Sequence, residues 1–198
     1  MLEHLTPDVS VAARTLMVTR EIQAHGYTIR EGTHPTRSMA NPITKVITLR
    51  AGALGPGSSS SVALLALLAH EWQHVEQQAG GLAHRLWWAA RYAALGVLGA
   101  LMAIAGLPLA AVSVWLILLV PAGLALAIWS DRFRLAAEVE AEAMELATRR
   151  AAGQAQAEPS HKLGGFRLPY LILGSPDRID AEIEAQAQAQ ALLSRAGR

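Results

Sequence analysis

Apolar and polar residues follow three different rhythms along this chain. Residues 8 to 25 place apolar groups at helical spacing, with Asp8 positioned to cap the start and Gly26 to end the helix. "ITKVITLR" (43 to 50) alternates as a half-buried strand does. After the turn-forming stretch "GALGPGSSSS", whose last serines can serve as caps, helical spacing returns from about Val62 to Ala79, and Gly80 and Gly81 stop it. The third rhythm is no rhythm at all: from Tyr92 to Ser130, 39 residues pass without one charged side chain, between Arg91 and Asp131.

A single helix of that length would measure about 58 Å, roughly twice the hydrocarbon thickness of a bilayer. It has to fold back, and "AGLPLA" (105 to 110) supplies a glycine and a proline for the turn. The pattern predicts two transmembrane helices, roughly 88 to 106 and 109 to 129. Trp87, Trp88, Tyr92 and Trp129 then share one interface as an aromatic belt, flanked by Arg85, Arg91, Arg132 and Arg134. The turn carries no charge, so the positive-inside tendency places both termini on the cytoplasmic side. A soluble protein burying the same hairpin is the alternative, and soluble cores rarely need apolar runs this long. Beyond the run, "DRFRLAAEVEAEAMELATRRAAG" reads as a strong helix. "HKLGGFRLPYLILGSPDR" reads as irregular, and the tail as a polar helix with Ser175 as cap and Pro176 in its first turn.

Composition narrows the classes. Apolar residues make up 52% of the 198 and charged ones 17%, a balance shifted toward membrane proteins. A net charge of +1 lacks the basic excess that nucleic-acid binding needs, so no nucleic-acid partner is expected. The chain has no cysteine, which excludes disulfides and thiolate metal sites. "MLEHLTPDVSVAARTL" has acids and a proline where a cleaved signal would need a basic start, so none is expected.

Against this background "LLAHEWQHVEQQAGG" (67 to 81) stands out, because His70, Glu71 and His74 interrupt a strongly apolar helix. Positions i and i+4 share a face, so both histidines can offer a nitrogen to one metal ion while Glu71 stands beside it. Surface decoration would account for them only on a solvated face, and "VALLALLA" is too apolar to be one.

A catalytic zinc takes three protein ligands, and without cysteine a downstream carboxylate is the natural third. Glu138, Glu140, Glu142 and Glu145 are the candidates. On a helix, Glu138, Glu142 and Glu145 share a face with Asp131, Arg134 and Arg149, which reads as solvated and salt-bridged. Glu140 lies on the stripe of Phe133, Ala136, Ala137, Ala143, Met144 and Ala147, where a lone carboxylate needs a partner. That reasoning favours Glu140 as the ligand, the alternative being that it only borders a partly wet groove.

"AHEWQH" and "EVEAEAMELA" resemble the gluzincin metallopeptidases, above all the membrane-embedded prenyl-protein protease and its bacterial heat-shock relatives, over roughly residues 43 to 150. The order is similar: an edge strand, an HExxH helix, a membrane hairpin, then a helix with the ligand glutamate in a Glu-x-x-Ala-Asp type motif. Two alignments of that motif are open. Glu140 as ligand keeps Ala143 but puts Met144 in the Asp position, whereas Glu138 as ligand keeps Ala141 and offers Glu142 there.

The resemblance implies a mainly α fold with a small β element: a minimal zincin-like domain with an inserted transmembrane hairpin. Its parts are residues 1–86 with the edge strand and motif helix, 87–130 as hairpin, and 131–198 with the third-ligand helix and a C-terminal helix. It implies one zinc ion on His70, His74 and Glu140, with Glu71 as general base for the attacking water. The expected activity is a membrane-associated zinc endopeptidase with its site near the cytoplasmic interface, acting on a peptide or protein substrate among membrane lipid. Strand 43 to 50 would pair with an extended substrate. A non-catalytic metal-stabilised scaffold or adaptor is the alternative function. His84, His161, Arg167 and Tyr170 are possible oxyanion helpers, with none preferred.

Overall fold

The computed structural model describes residues 9–34, 38–55, 61–109, 111–159 and 176–196, and over these the protein is mainly helical with one three-stranded sheet. Ser10 starts the first helix by accepting the Ala13 N–H at 3.3 Å, and α1 runs Val11–Ala24 until Gly26, at φ 78°, turns the chain. Asp8, expected as the cap, lies outside the described residues.

The sheet contains β1 (Thr28–Glu31), β2 (Met39–Asn41) and β3 (Val46–Leu49) in the order β1-β3-β2. β1 runs parallel to β3 with Ile29 opposite Ile47, and β2 antiparallel with Ala40 opposite Ile47. Two expectations fail here. The strand foreseen at 43 to 50 shrinks to four residues, because the Asn41 side chain accepts the N–H groups of Ile43 (2.9 Å) and Thr44 (3.0 Å) and turns that part into a loop. It is also no edge strand: β3 is paired on both sides, so its backbone has no free edge for an extended substrate.

The motif helix α2 (Val62–Gln77) follows, with Ser61 as its N-cap residue. Ile22 of α1, Ile47 and Leu49 of β3, and Leu65, Leu68 and Trp72 of α2 are all at most 2% exposed and form one core. Burying each such side chain contributes about 1.5–3 kcal/mol. This core fixes the roll of α2 and hence the direction in which its histidines point.

Next come α3 (Leu82–Ala89), a π-helical turn at Ala90–Ala94, α4 (Leu95–Leu109), a 3₁₀ turn at Val114–Leu118 and α5 (Leu119–Ala151). The foreseen second membrane helix and third-ligand helix are one: α5 is 33 residues long and passes residue 130 without a break. α4 and α5 lie against each other with backbones in contact. A Cβ on Gly99 would come within 2.6 Å of Gly123 O, and one on Gly123 within 2.5 Å of Gly99 O. Only glycines allow that approach.

The hairpin's outer surface is apolar and open: Ile104 is 70%, Val112 81% and Trp115 76% exposed. The stretch Val114–Ala151 is long and apolar enough to cross a membrane, and Leu82–Tyr92 with Leu95–Leu109, bent by 44°, passes the same test as a pair. Below the hairpin, Val139, Ala143 and Leu146 of α5 pack on Ile179, Ile183 and Ala187 of the last helix, α6 (Pro176–Ala196). Ser175, the expected cap of α6, lies outside the described residues.

Candidate metal centre

α2 and the lower half of α5 pack side by side, and the site lies between them. Spacing along α2 puts His70 and His74 one turn apart, with ring centroids 5.1 Å from each other. Nε2 of each ring is 3.7 Å from the same atom, Oε2 of Glu138. The ligand atoms of His70, His74 and Glu138 all lie within 4.8 Å of one another, a group that could hold a metal ion. Two imidazole nitrogens and one carboxylate oxygen are the donors a catalytic zinc takes from a protein.

The structure brings Glu138 to the histidines and leaves Glu140 aside. Glu140 is exposed and accepts a hydrogen bond from Gln77 Nε2 at 2.9 Å. The face read as solvated is the buried one, with Glu142 and Glu145 only 3% and 2% exposed against α2. On that face Arg134 bonds Asp131 at 2.9 Å and Arg149 bonds Glu145 at 2.6 Å. The apolar stripe that carries Glu140 borders a cavity of about 220 Å³, walled by Trp87, Trp88, Phe133, Ala136 and Arg91. Small alanines line a cavity there, while the carboxylates face the histidines.

Nδ1 of His70 makes no hydrogen bond among the described residues; it faces Glu145 at 3.4 Å and Glu142 at 3.9 Å, and these three residues form a second group that could hold a metal ion. Glu145 is itself bound by Arg149. Nδ1 of His74 faces Oε1 of Gln77 at 2.9 Å. Burial acts to lower the His70 pKa, but the facing Glu145 carboxylate and the charges of Glu71 and Glu138 outweigh it and raise it to about 9.

Glu71 is 2% exposed, and its Oε2 has no hydrogen-bond partner among the described residues. Burial raises its pKa, against the pull of His70 and His74. That oxygen is a buried acceptor beside the group that could hold a metal ion.

An aromatic collar closes the side toward the hairpin. The Tyr92 hydroxyl donates to Glu138 Oε1, the Tyr92 ring stacks on Trp88 with centroids 4.7 Å apart, and Trp88 meets His74 edge-on at 6.3 Å. The belt foreseen from Trp87, Trp88, Tyr92 and Trp129 is thus split: Trp87 and Trp129 are exposed and 6.2 Å apart, while Trp88 and Tyr92 face the site. Arg91 lies over the Phe133 and Trp129 rings, 4.0 and 4.7 Å from their centroids.

Sequence reasoning missed Gln77 and Tyr92. Gln77 had a signal, standing three residues after His74 on one helix, whereas Tyr92 reaches Glu138 only through the fold of the hairpin. Of the oxyanion candidates, His84 Nε2 lies 3.3 Å from Gln77 O and lines the cavity, while His161, Arg167 and Tyr170 lie outside the described residues. No protein-family model, curated protein or solved structure matches the chain, so the reading of the site rests on its geometry.

Proposed function

We propose that the protein is a membrane-associated zinc metallopeptidase with a minimal zincin-like domain, its ion held by His70, His74 and Glu138. The observation that carries this reading is the convergence of both Nε2 atoms on Glu138 Oε2, beside the buried and unpartnered Glu71 Oε2.

Zinc bound there would supply a Lewis acid that polarises a scissile carbonyl and acidifies a water. The chain's own residues do the rest. Glu71 Oε2 accepts the proton of the attacking water and passes it to the leaving amine, and the burial that raises its pKa favours taking that proton up. Tyr92 holds Glu138 from the hairpin side, and Glu145 faces His70 Nδ1 at 3.4 Å. A scaffold that merely stored the ion would need the three ligands and have no use for Glu71.

Two membrane-spanning segments fit the hairpin's dimensions. From Leu119 to Ser130 α5 rises about 18 Å, and the five-residue 3₁₀ turn adds about 10 Å, which together approach the ~30 Å of hydrocarbon. Arg85, Arg91, Arg132 and Arg134 gather at the open end, which favours a cytoplasmic site and cytoplasmic termini. With both sides of β3 occupied, β2, the edge strand that touches α2, takes over as the place for an extended peptide substrate.

Zinc content of the detergent-purified protein tests the reading. Near-stoichiometric zinc in the wild type, lost in His74→Ala and Glu138→Ala and kept in Glu71→Gln, is the expected result. A quenched-fluorescent peptide library should then be cleaved by wild type and not by Glu71→Gln. Absence of zinc from the wild type overturns the reading.

A further inference from the structure

We propose that Gln77 and Glu140 form a positioning relay that fixes His74 as a metal ligand, an inference that rests on the zinc-site reading above. The Gln77 carboxamide makes three contacts. Its Nε2 donates to the backbone oxygen of Ala137 at 3.0 Å and to Glu140 Oε2 at 2.9 Å, and its Oε1 faces His74 Nδ1 at 2.9 Å.

Chemistry permits one orientation of that amide. Ala137 O and the Glu140 carboxylate are both acceptors, so the NH₂ end must face them, and a flipped amide would set its oxygen against both of these oxygens. Oε1 is thereby aimed at His74, and an oxygen there requires a proton on Nδ1. The neutral ring then carries its lone pair on Nε2, the atom turned toward Glu138. Glu140, which resembles a ligand on helix geometry, acts at one remove by setting the amide that sets the imidazole. His74 is thus oriented by an amide backed by a carboxylate, whereas His70 Nδ1 only faces the Glu145 carboxylate at 3.4 Å.

Gln77 is also the residue through which α2 holds α5 at this level, since both acceptors of its NH₂ belong to α5. Loss of a partner that orients a ligating histidine typically weakens metal binding about 10–100-fold.

The test is a competition titration of zinc against a chromophoric chelator on the full-length protein in detergent. Gln77→Met, which keeps the length and loses the amide, should bind zinc about 10–100-fold more weakly. Glu140→Gln retains an acceptor oxygen and should stay within a few-fold of wild type. Unchanged affinity in Gln77→Met overturns the relay, and so does a weakened Gln77→Met whose His74 Nδ1–H proton, followed by NMR in the zinc-loaded protein, exchanges with solvent no faster than in wild type, since packing alone would then account for the loss. A wild type without zinc would instead bring down the metallopeptidase reading itself.

Discussion

Replacing Tyr92 by Phe removes one oxygen and leaves the ring on Trp88, whose centroid is 4.7 Å away. The lost oxygen is the donor to Glu138 Oε1, the contact that leaves Oε2 facing both histidines. Without it the Glu138 side chain regains rotamer freedom in the metal-free protein, and zinc binding must remove that freedom again. Freezing a glutamate costs up to about 1.5–2 kcal/mol. Glu138 is only 18% exposed and still enclosed by α2, so about 1 kcal/mol is the realistic lower bound. At 1.4 kcal/mol per decade this weakens zinc about 5- to 30-fold. Chelator competition on detergent-purified protein measures it, with thermal unfolding of the metal-free form as control for packing. Affinity within twofold of wild type would refute the claim that the hairpin holds the third carboxylate in place.

Two further outcomes follow from the same structure. In the metal-free site His70 is protonated up to about pH 9, and a ligating imidazole must be neutral, so zinc binding should release this proton. Between pH 7 and 9 the apparent affinity should rise about tenfold per unit and then level off, as calorimetry in buffers of different ionisation enthalpy would show; a flat profile without proton release contradicts the assignment. At the helix crossing, Gly123→Val would push a side chain against Gly99 O and Ala103 N, backbone atoms that cannot yield separately. It should lower stability by about 1–3 kcal/mol, read as the unfolding midpoint in detergent, while Gly81→Ala, with nothing within 4 Å of the added carbon, should not; equal midpoints for the two would disprove the close packing.

The parts of the site legible from sequence were those set by local geometry. His70, Glu71 and His74 lie within five residues of one helix, so period and spacing sufficed to place both rings on one side. The third carboxylate depends on which face of α5 meets α2, and amphipathic reasoning points the wrong way there. It assigns charged faces to water, but Glu142 and Glu145 are buried against His70, while the stripe with Glu140 lines a cavity at Phe133, Ala136 and Ala137 and packs on α6 at Ala143 and Ala147. The alignment that keeps Ala141 and offers Glu142 contained the better geometry, which only tertiary packing could select. In the sheet, the β-branched residues of "ITKVITLR" announced a strand, but its short extent came from one Asn41 side chain and its central position from β1, some fifteen residues earlier. The hairpin was visible as a charge-free run; that α5 continues unbroken into the site was not, since Asp131 and Arg132 look like the end of one helix and the start of another.

That continuity sets an order of assembly. His70 and His74 leave the ribosome 68 and 64 residues ahead of Glu138, and the carboxylate comes within reach only after the chain has run along α4, turned and returned along α5. A nascent chain with its hairpin still open holds two members of the candidate metal group and lacks the third. Completion of that group is thereby timed to closure of the hairpin, when the apolar half of the chain has found its place.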